Sequence, residues 1–179
     1  RDGRSFHRWG EAILRAGRNR DRWHNRSNYI WLGLVETKSG VPGAGNELSL
    51  YTNERYYKGR GVKTRRYTYR IDGFVSINAP RRGGTALTKP LTFSGKELRL
   101  NVATSAAGSV RVAIQTAAGG PINGFRLGDC EEIYGDDLGR VVKWRGSADL
   151  RALAGKPVRL LFTLKDADVY AFQFADRKP

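Results

Sequence analysis

The sequence is poor in several residue types, and each shortage excludes something. Of 179 residues one is cysteine, none is methionine and two are histidine. A lone Cys130 cannot close an intrachain disulfide, so the fold has to rest on a packed core. It sits in an acidic run, where neighbouring negative charge disfavours a reactive thiolate. His7 and His24 lack metal-ligand spacing to each other or to the cysteine, which argues against a zinc site. No apolar run approaches the roughly 18 residues of a membrane-spanning helix, so no membrane partner is expected. The opening RDGRSFHRWG has no apolar stretch of the secretory kind. Without a methionine at its start, the chain reads as a piece of a longer protein that begins mid-fold. There is no G-x-S-x-G elbow, and SGVPGAGN lacks the Lys-Ser/Thr of a phosphate loop, so no cofactor is expected.

Acidic residues are also scarce. The chain has 32 Lys+Arg against 17 Asp+Glu, a net charge of +15. Residues 1–70 hold 16 basic and 6 acidic residues, and residues 71–179 hold 16 and 11. Such a surface can steer toward polyanions, whether nucleic acid, anionic lipid or acidic polysaccharide. The plainer reading is a solvated basic face.

What is abundant is alternation. Hydrophobic residues make up 40% and aromatics 11%, enough for a packed core. KTRRYTYRIDGFVSINAP has Tyr67, Tyr69, Ile71, Val75 and Ile77 on one parity and Arg66, Thr68, Arg70 and Asp72 on the other. Period two predicts one long strand, bent or bulged partway along at Gly73, that buries the tyrosines and exposes Arg66 and Arg70. A nucleic-acid platform needs aromatics and cations on one exposed face, and here the alternation separates them. ELRLNVATS and SVRVAIQ repeat the pattern through Leu98, Leu100 and Val102, then Val110, Val112 and Ile114. The small joint TSAAGS between them predicts a hairpin. PVRLLFTLK and VYAFQF predict another, burying Val158, Leu160, Phe162, Leu164, Tyr170, Phe172 and Phe174, with KDAD as its turn. RVVKW points Val142 and Trp144 inward. SADLRALAG, with Ser147 as a cap, and GEAILRAG, which is also compatible with a strand, are candidates for a helical turn or two. The chain is therefore all-β, and its composition breaks near residue 60.

Five segments in order carry a family likeness: RDGRSFHRW, ELSLYTNERYY, RRYTYRIDGFVSINA, TKPLTFSGKELRLNVATSAAGSVRVAIQ and LAGKPVRLLFTLKDADVYAFQF. Together they resemble the C-terminal end of bacterial glycosidase-like proteins related to glycoside hydrolase family 32, in which a five-bladed β-propeller precedes a β-sandwich. The resemblance implies that residues 1–60 are the tail of a propeller, with incomplete blade strands. It implies that residues 61–179 are a C-terminal antiparallel β-sandwich of jelly-roll-like type. It also implies that the catalytic carboxylates lie on earlier blades, since no Asp or Glu here matches their motifs. The expected function is non-catalytic: support of the propeller and contact with carbohydrate. The expected partners are carbohydrate and the missing blades, or another copy through exposed strand edges. The alternatives are a free-standing carbohydrate-binding module and a basic domain for polyanions or nucleic acid.

Two constellations could carry binding. RNRDRWHNRSNY surrounds Trp23 with Arg, Asn and His, the composition of a polar loop around a flat ring. With Trp31 this makes Trp23, His24, Arg26 and Trp31 the carbohydrate-binding candidates, and Trp9, Tyr51, Tyr56 and Tyr57 are further rings. For each tryptophan the plainer reading is a core or blade-packing residue, for Trp144 above all. FRLGDCEEIYGDD gathers Asp129, Glu131, Glu132, Asp136 and Asp137. Calcium takes six to eight oxygens, and paired carboxylates can divide acid and base roles, but the spacing matches no calcium loop. A solvated loop is the plainer reading, a cation loop the weaker one, and no catalytic residue is assigned.

Overall fold

The computed structural model describes residues 4–8, 10–23, 28–57 and 59–176. Its regular elements are one 3₁₀ turn, Arg20–Arg22, and eight strands: β1 Val35–Thr37, β2 Glu47–Glu54, β3 Lys63–Arg70, β4 Ile77–Ala79, β5 Gly84–Leu87, β6 Glu97–Thr116, β7 Asp136–Val141 and β8 Val158–Ala175. All strand pairs are antiparallel. The all-β architecture is as the alternation predicts. The two expected helical stretches are not helices. Ser147 instead accepts a bond from the Asp149 N–H at 3.2 Å in a local turn, and Leu150 and Leu153 still reach the core.

Two compact units divide the chain, Arg1–Arg70 and Ile71–Pro179. The division falls later than the composition break near residue 60, because β3 pairs with β2 along its whole length. The first unit is the sheet β1-β2-β3. Leu50 stands opposite Tyr67 and Thr52 opposite Arg65, so Leu50, Thr52, Glu54, Arg65 and Tyr67 share one face. Arg66 is on the other face, bonded to Ser49 Oγ at 2.7 Å and Glu47 Oε1 at 2.5 Å.

The single strand expected across residues 67–77 does not form. β3 stops at Arg70, Asp72 takes a left-handed conformation (φ 52°), and β4 begins only at Ile77. Asn101 Nδ2 donates to the Ile71 carbonyl at 2.7 Å, satisfying it where the ladder ends. Tyr67, Tyr69 and Ile71 are accordingly half-buried, Arg70 is half-buried too, and Val75 and Ile77 are exposed.

The second unit is a sandwich built from one bent ribbon. The two expected hairpins are not hairpins: β6 and β8 are continuous strands of 20 and 18 residues, paired with each other from Glu97↔Ala175 to Thr116↔Val158. Yet the rings of Phe162 and Phe172, both on β8, have centroids 6.0 Å apart. A straight strand would separate them by about 33 Å. The ribbon therefore folds over at its middle, and its two halves face each other. The bend falls where TSAAGS and KDAD meet. Between Thr104↔Ala167 and Ser109↔Lys165 the β6 strand advances further than β8, so β6 bulges there. Asp166 is left-handed (φ 45°), and its N–H bonds the Pro80 carbonyl at 3.1 Å. Gly108 is required at the bend, because a Cβ would stand 2.3 Å from the Asp166 carbonyl oxygen.

One layer of the sandwich runs β4-β8-β6-β7 over the outer ends of the ribbon, and the other carries β5 against residues 161–164 of β8. Val110 and Ile133 exchange two backbone bonds, and Ile114 N–H reaches the Phe125 carbonyl at 2.9 Å, so residues 121–133 line the other side of the second layer. Between the layers lie Leu98, Leu100, Val102, Val110, Val112, Ile114, Val158, Leu160, Phe162 and Leu164, all in one hydrophobic cluster. Trp144 points inward as its parity predicts, with its indole N–H on the Val112 carbonyl at 2.8 Å. Beyond the bend Ala167 and Val169 take the inner parity and Tyr170 is half-buried. The register then shifts between Asn101 and Val102, so Phe172 and Phe174 stand opposite the buried Leu100 and Leu98, with Phe174 packed on Phe93 and Phe172 38% exposed.

Candidate functional site

The first unit collects the aromatic rings that the sequence singles out. Asn19 caps the 3₁₀ turn through its side chain, which accepts from the Asp21 N–H at 3.0 Å. The turn docks beside the end of β2, where Arg55 N–H bonds the Asp21 carbonyl at 3.0 Å. That placement carries Arg22 onto Glu54. Arg22 Nε lies 2.8 Å from Glu54 Oε1, while Arg65 approaches the same carboxylate with Nε at 2.5 Å and Nη2 at 2.9 Å. Arg22 also lies over the Tyr67 ring, 5.6 Å from its centroid.

Glu54 is 2% exposed. The hydrogen bond from Arg65 first, and then that from Arg22, hold its carboxyl below the usual value despite burial. A carboxylate clamped in this way keeps its charge and is unsuited to donate a proton. Its chemistry is positional: it fixes the turn that presents Trp23. Beside it the Thr52 hydroxyl is buried without a hydrogen-bond partner.

Trp23 is 59% exposed, and its indole N–H is engaged by the Gly17 carbonyl at 2.9 Å, which leaves the ring face as its open surface. Arg20 stands 6.0 Å from the ring centroid. Trp31 is 50% exposed, with its backbone N–H on the Tyr51 carbonyl at 2.9 Å. Trp23 and Trp31 thus both border β2. Trp31 is tied to β2 at Tyr51, and the turn that carries Trp23 is tied through the Asp21 carbonyl to Arg55, just past the end of that strand. His24 and Arg26, the other two candidates, lie outside the described residues, as does Trp9. Tyr57 is exposed beside Tyr56, at 4.4 Å between centroids, and Tyr51 is half-buried. Tyr29 is a further exposed ring that the sequence reading passed over, since no local pattern marks it. The Arg22–Glu54–Arg65 cluster was also missed, because its members meet only through strand pairing.

The acidic run lies in the second unit and does not converge. Asp129 accepts from the Arg126 N–H at 3.1 Å and from Arg145 Nε at 2.7 Å, and these contacts hold its carboxyl below the usual range. Glu131 and Glu132 are exposed, and Glu132 lies 3.8 Å from Arg111. Asp136 and Asp137 belong to β7, where Asp137 Oδ1 accepts from the Gly139 N–H at 2.8 Å. Among the described residues no three His, Cys, Asp or Glu side chains gather as a metal site would require. Cys130 is buried, and burial pushes its thiol pKa up. No helix among the described residues is long and apolar enough to cross a membrane. No family model, no curated protein and no solved structure matches the chain.

Proposed function

We propose that this chain is the non-catalytic C-terminal region of a glycoside-hydrolase-like protein related to family 32. In this reading the first unit contributes strands to a propeller, the sandwich supports that propeller, and Trp23 and Trp31 contact carbohydrate. The observation that carries the reading is the unfinished packing of the first unit. Among its described residues only Leu14 and Leu50 are buried hydrophobics, while twelve large hydrophobic side chains, among them Phe6, Tyr29, Trp31, Leu32 and Val35, are exposed. A three-stranded sheet with that surface calls for further strands, and propeller blades would supply them.

Carbohydrate contact follows from the rings. A fixed indole face packs on the C–H face of a pyranose, and nearby guanidinium groups bond its hydroxyls. A polyanion reading has less support, because Arg22, Arg65 and Arg66 are already engaged by Glu54 and Glu47. The test is affinity electrophoresis of the full chain through gels containing soluble polysaccharides, alongside an assay on aryl glycosides and fructans. Retardation weakened in a Trp23→Ala/Trp31→Ala variant, with no turnover above buffer, is the expected result. Turnover that disappears on mutating Asp136 or Glu132 would overturn the non-catalytic assignment. Binding that persists at high salt to single-stranded DNA, but not to any polysaccharide, would overturn the carbohydrate assignment.

A further inference from the structure

The acidic run has no role in that reading, yet it forms a wall of a groove on the sandwich. The groove has a volume of about 440 Å³ and is lined by Glu131, Glu132 and Asp137 together with Arg140 and Lys143. A second hollow of about 340 Å³ shares Glu132 and adds Tyr134 and Lys165. These volumes lie near the range of ordinary ligand sites, roughly 300–1,000 Å³.

The strip that separates the two hollows is rigidly held. Glu131 N–H bonds the Lys143 carbonyl at 2.9 Å, and Ile133 exchanges bonds of 2.8 and 3.0 Å with Val110. Gly135 N–H bonds Thr104 Oγ1 at 3.0 Å, and Thr104 N–H returns to the Gly135 carbonyl at 2.9 Å. Tyr134 lies between these anchors. Ile133 beside it is in the core, and Tyr134 is turned outward, 66% exposed. A ring presented on a fixed backbone loses little freedom when a ligand stacks on it.

Charge narrows the ligand class. Three carboxylates face three cations across the two hollows, so the site is balanced on a chain of net charge +15. Among the described residues Arg140, Lys143 and Lys165 make no ion pair, and Glu132 has only Arg111 at 3.8 Å. Arg140 and Lys143 in the first hollow and Lys165 in the second are therefore not closed off by a neighbouring carboxylate. An anion would meet the three carboxylates, and a metal ion would find no converging set. A neutral ligand dense in hydroxyls donates to Glu131 and Glu132 and accepts from Arg140 and Lys143 in the first hollow, and by extending past the shared Glu132 into the second it stacks a C–H face on Tyr134. We propose that this groove binds a neutral saccharide, an assignment that rests on the reading of the chain as a carbohydrate-contacting region.

The experiment is affinity electrophoresis of the full chain with xylan, mixed-linkage β-glucan and inulin, and with polygalacturonate as the acidic comparison. Two variants address the groove. Tyr134→Ala removes the ring, and Gly139→Trp fills the groove at a lining position where an added Cβ meets nothing within 4 Å. Retardation by a neutral polysaccharide, with an apparent Kd raised at least about fivefold in both variants and unfolding temperatures unchanged, is the expected result. Retardation lost in Trp23→Ala/Trp31→Ala but untouched by both groove variants would remove this site and leave the carbohydrate reading standing. Retardation by none of the polysaccharides would remove both. Binding only to polygalacturonate, abolished by salt, would overturn the neutral class.

Discussion

The two units use the same alternating grammar with opposite outcomes. In the first, the face of β2 that buries Leu50 also buries Thr52 and Glu54, Ser49 is buried on the opposite face, and twelve large hydrophobic side chains remain outside among the described residues. In the second, alternation on β6 and β8 fills one continuous cluster, and six large hydrophobics are exposed. The difference is not composition along a strand but the number of layers available to face it. A bent ribbon provides its own second layer. A three-stranded sheet does not, and it holds its interior partly with an ion cluster.

Removing the core of the second unit should have the largest effect. Phe162→Ala takes away a ring that is 1% exposed, and should cost about 3–5 kcal/mol. Urea denaturation followed by far-ultraviolet circular dichroism measures it, and a loss below about 1 kcal/mol would mean that the ribbon's halves do not pack as described. Gly108→Ala should come next. Its methyl group would meet backbone oxygens of Lys165 and Asp166, which cannot swing aside as a side chain can. The expected cost is about 1–3 kcal/mol, with the transition midpoint lowered and the denaturant slope unchanged.

The first unit should answer to charge instead. Glu54→Gln removes a carboxylate that two arginines engage, and should cost about 1.5–3 kcal/mol, confined to that unit. Tryptophan fluorescence should report it, because Arg22 and Trp23 share the docked turn. The same group sets an acid dependence. Arg65 and Arg22 hold the Glu54 pKa below its ordinary value, so the stabilisation is complete above the ordinary carboxylate range and is lost as pH falls through the lowered value. Acid should therefore loosen the first unit in the native protein more than in Glu54→Gln. Equal acid sensitivity in the two proteins would assign the effect to other groups. The smallest change has the opposite sign: Thr52→Val, which deletes a buried hydroxyl with no partner, should stabilise the first unit by about 1 kcal/mol.

The strands and their inward faces were legible, because period two depends only on neighbours along the chain. Leu98 through Ile114, Val158 through Leu164, Val142 and Trp144 all face the interior that their parity indicates. Pairing was not legible. TSAAGS and KDAD have turn composition, yet they meet at one bend of two long strands, since small residues permit close backbone approach as readily as they permit a turn. The stop after Arg70 was hidden because Val75 and Ile77 keep the apolar parity while lying outside any covering layer. Of the candidate site, the exposure of Trp23 fits its polar surroundings in sequence, whereas Trp31 is exposed although Ile30, Leu32 and Leu34 surround it. The ion cluster that fixes Trp23 joins residues 22, 54 and 65, a link made only by folding.

Limited proteolysis of the full chain, read by mass spectrometry, tests most directly whether only the second unit is self-sufficient. The account predicts a persistent fragment that starts near residue 71 and retains β8, with cleavage spread through residues 1–70. A persistent fragment that keeps residues 1–70 and loses β8 would contradict it.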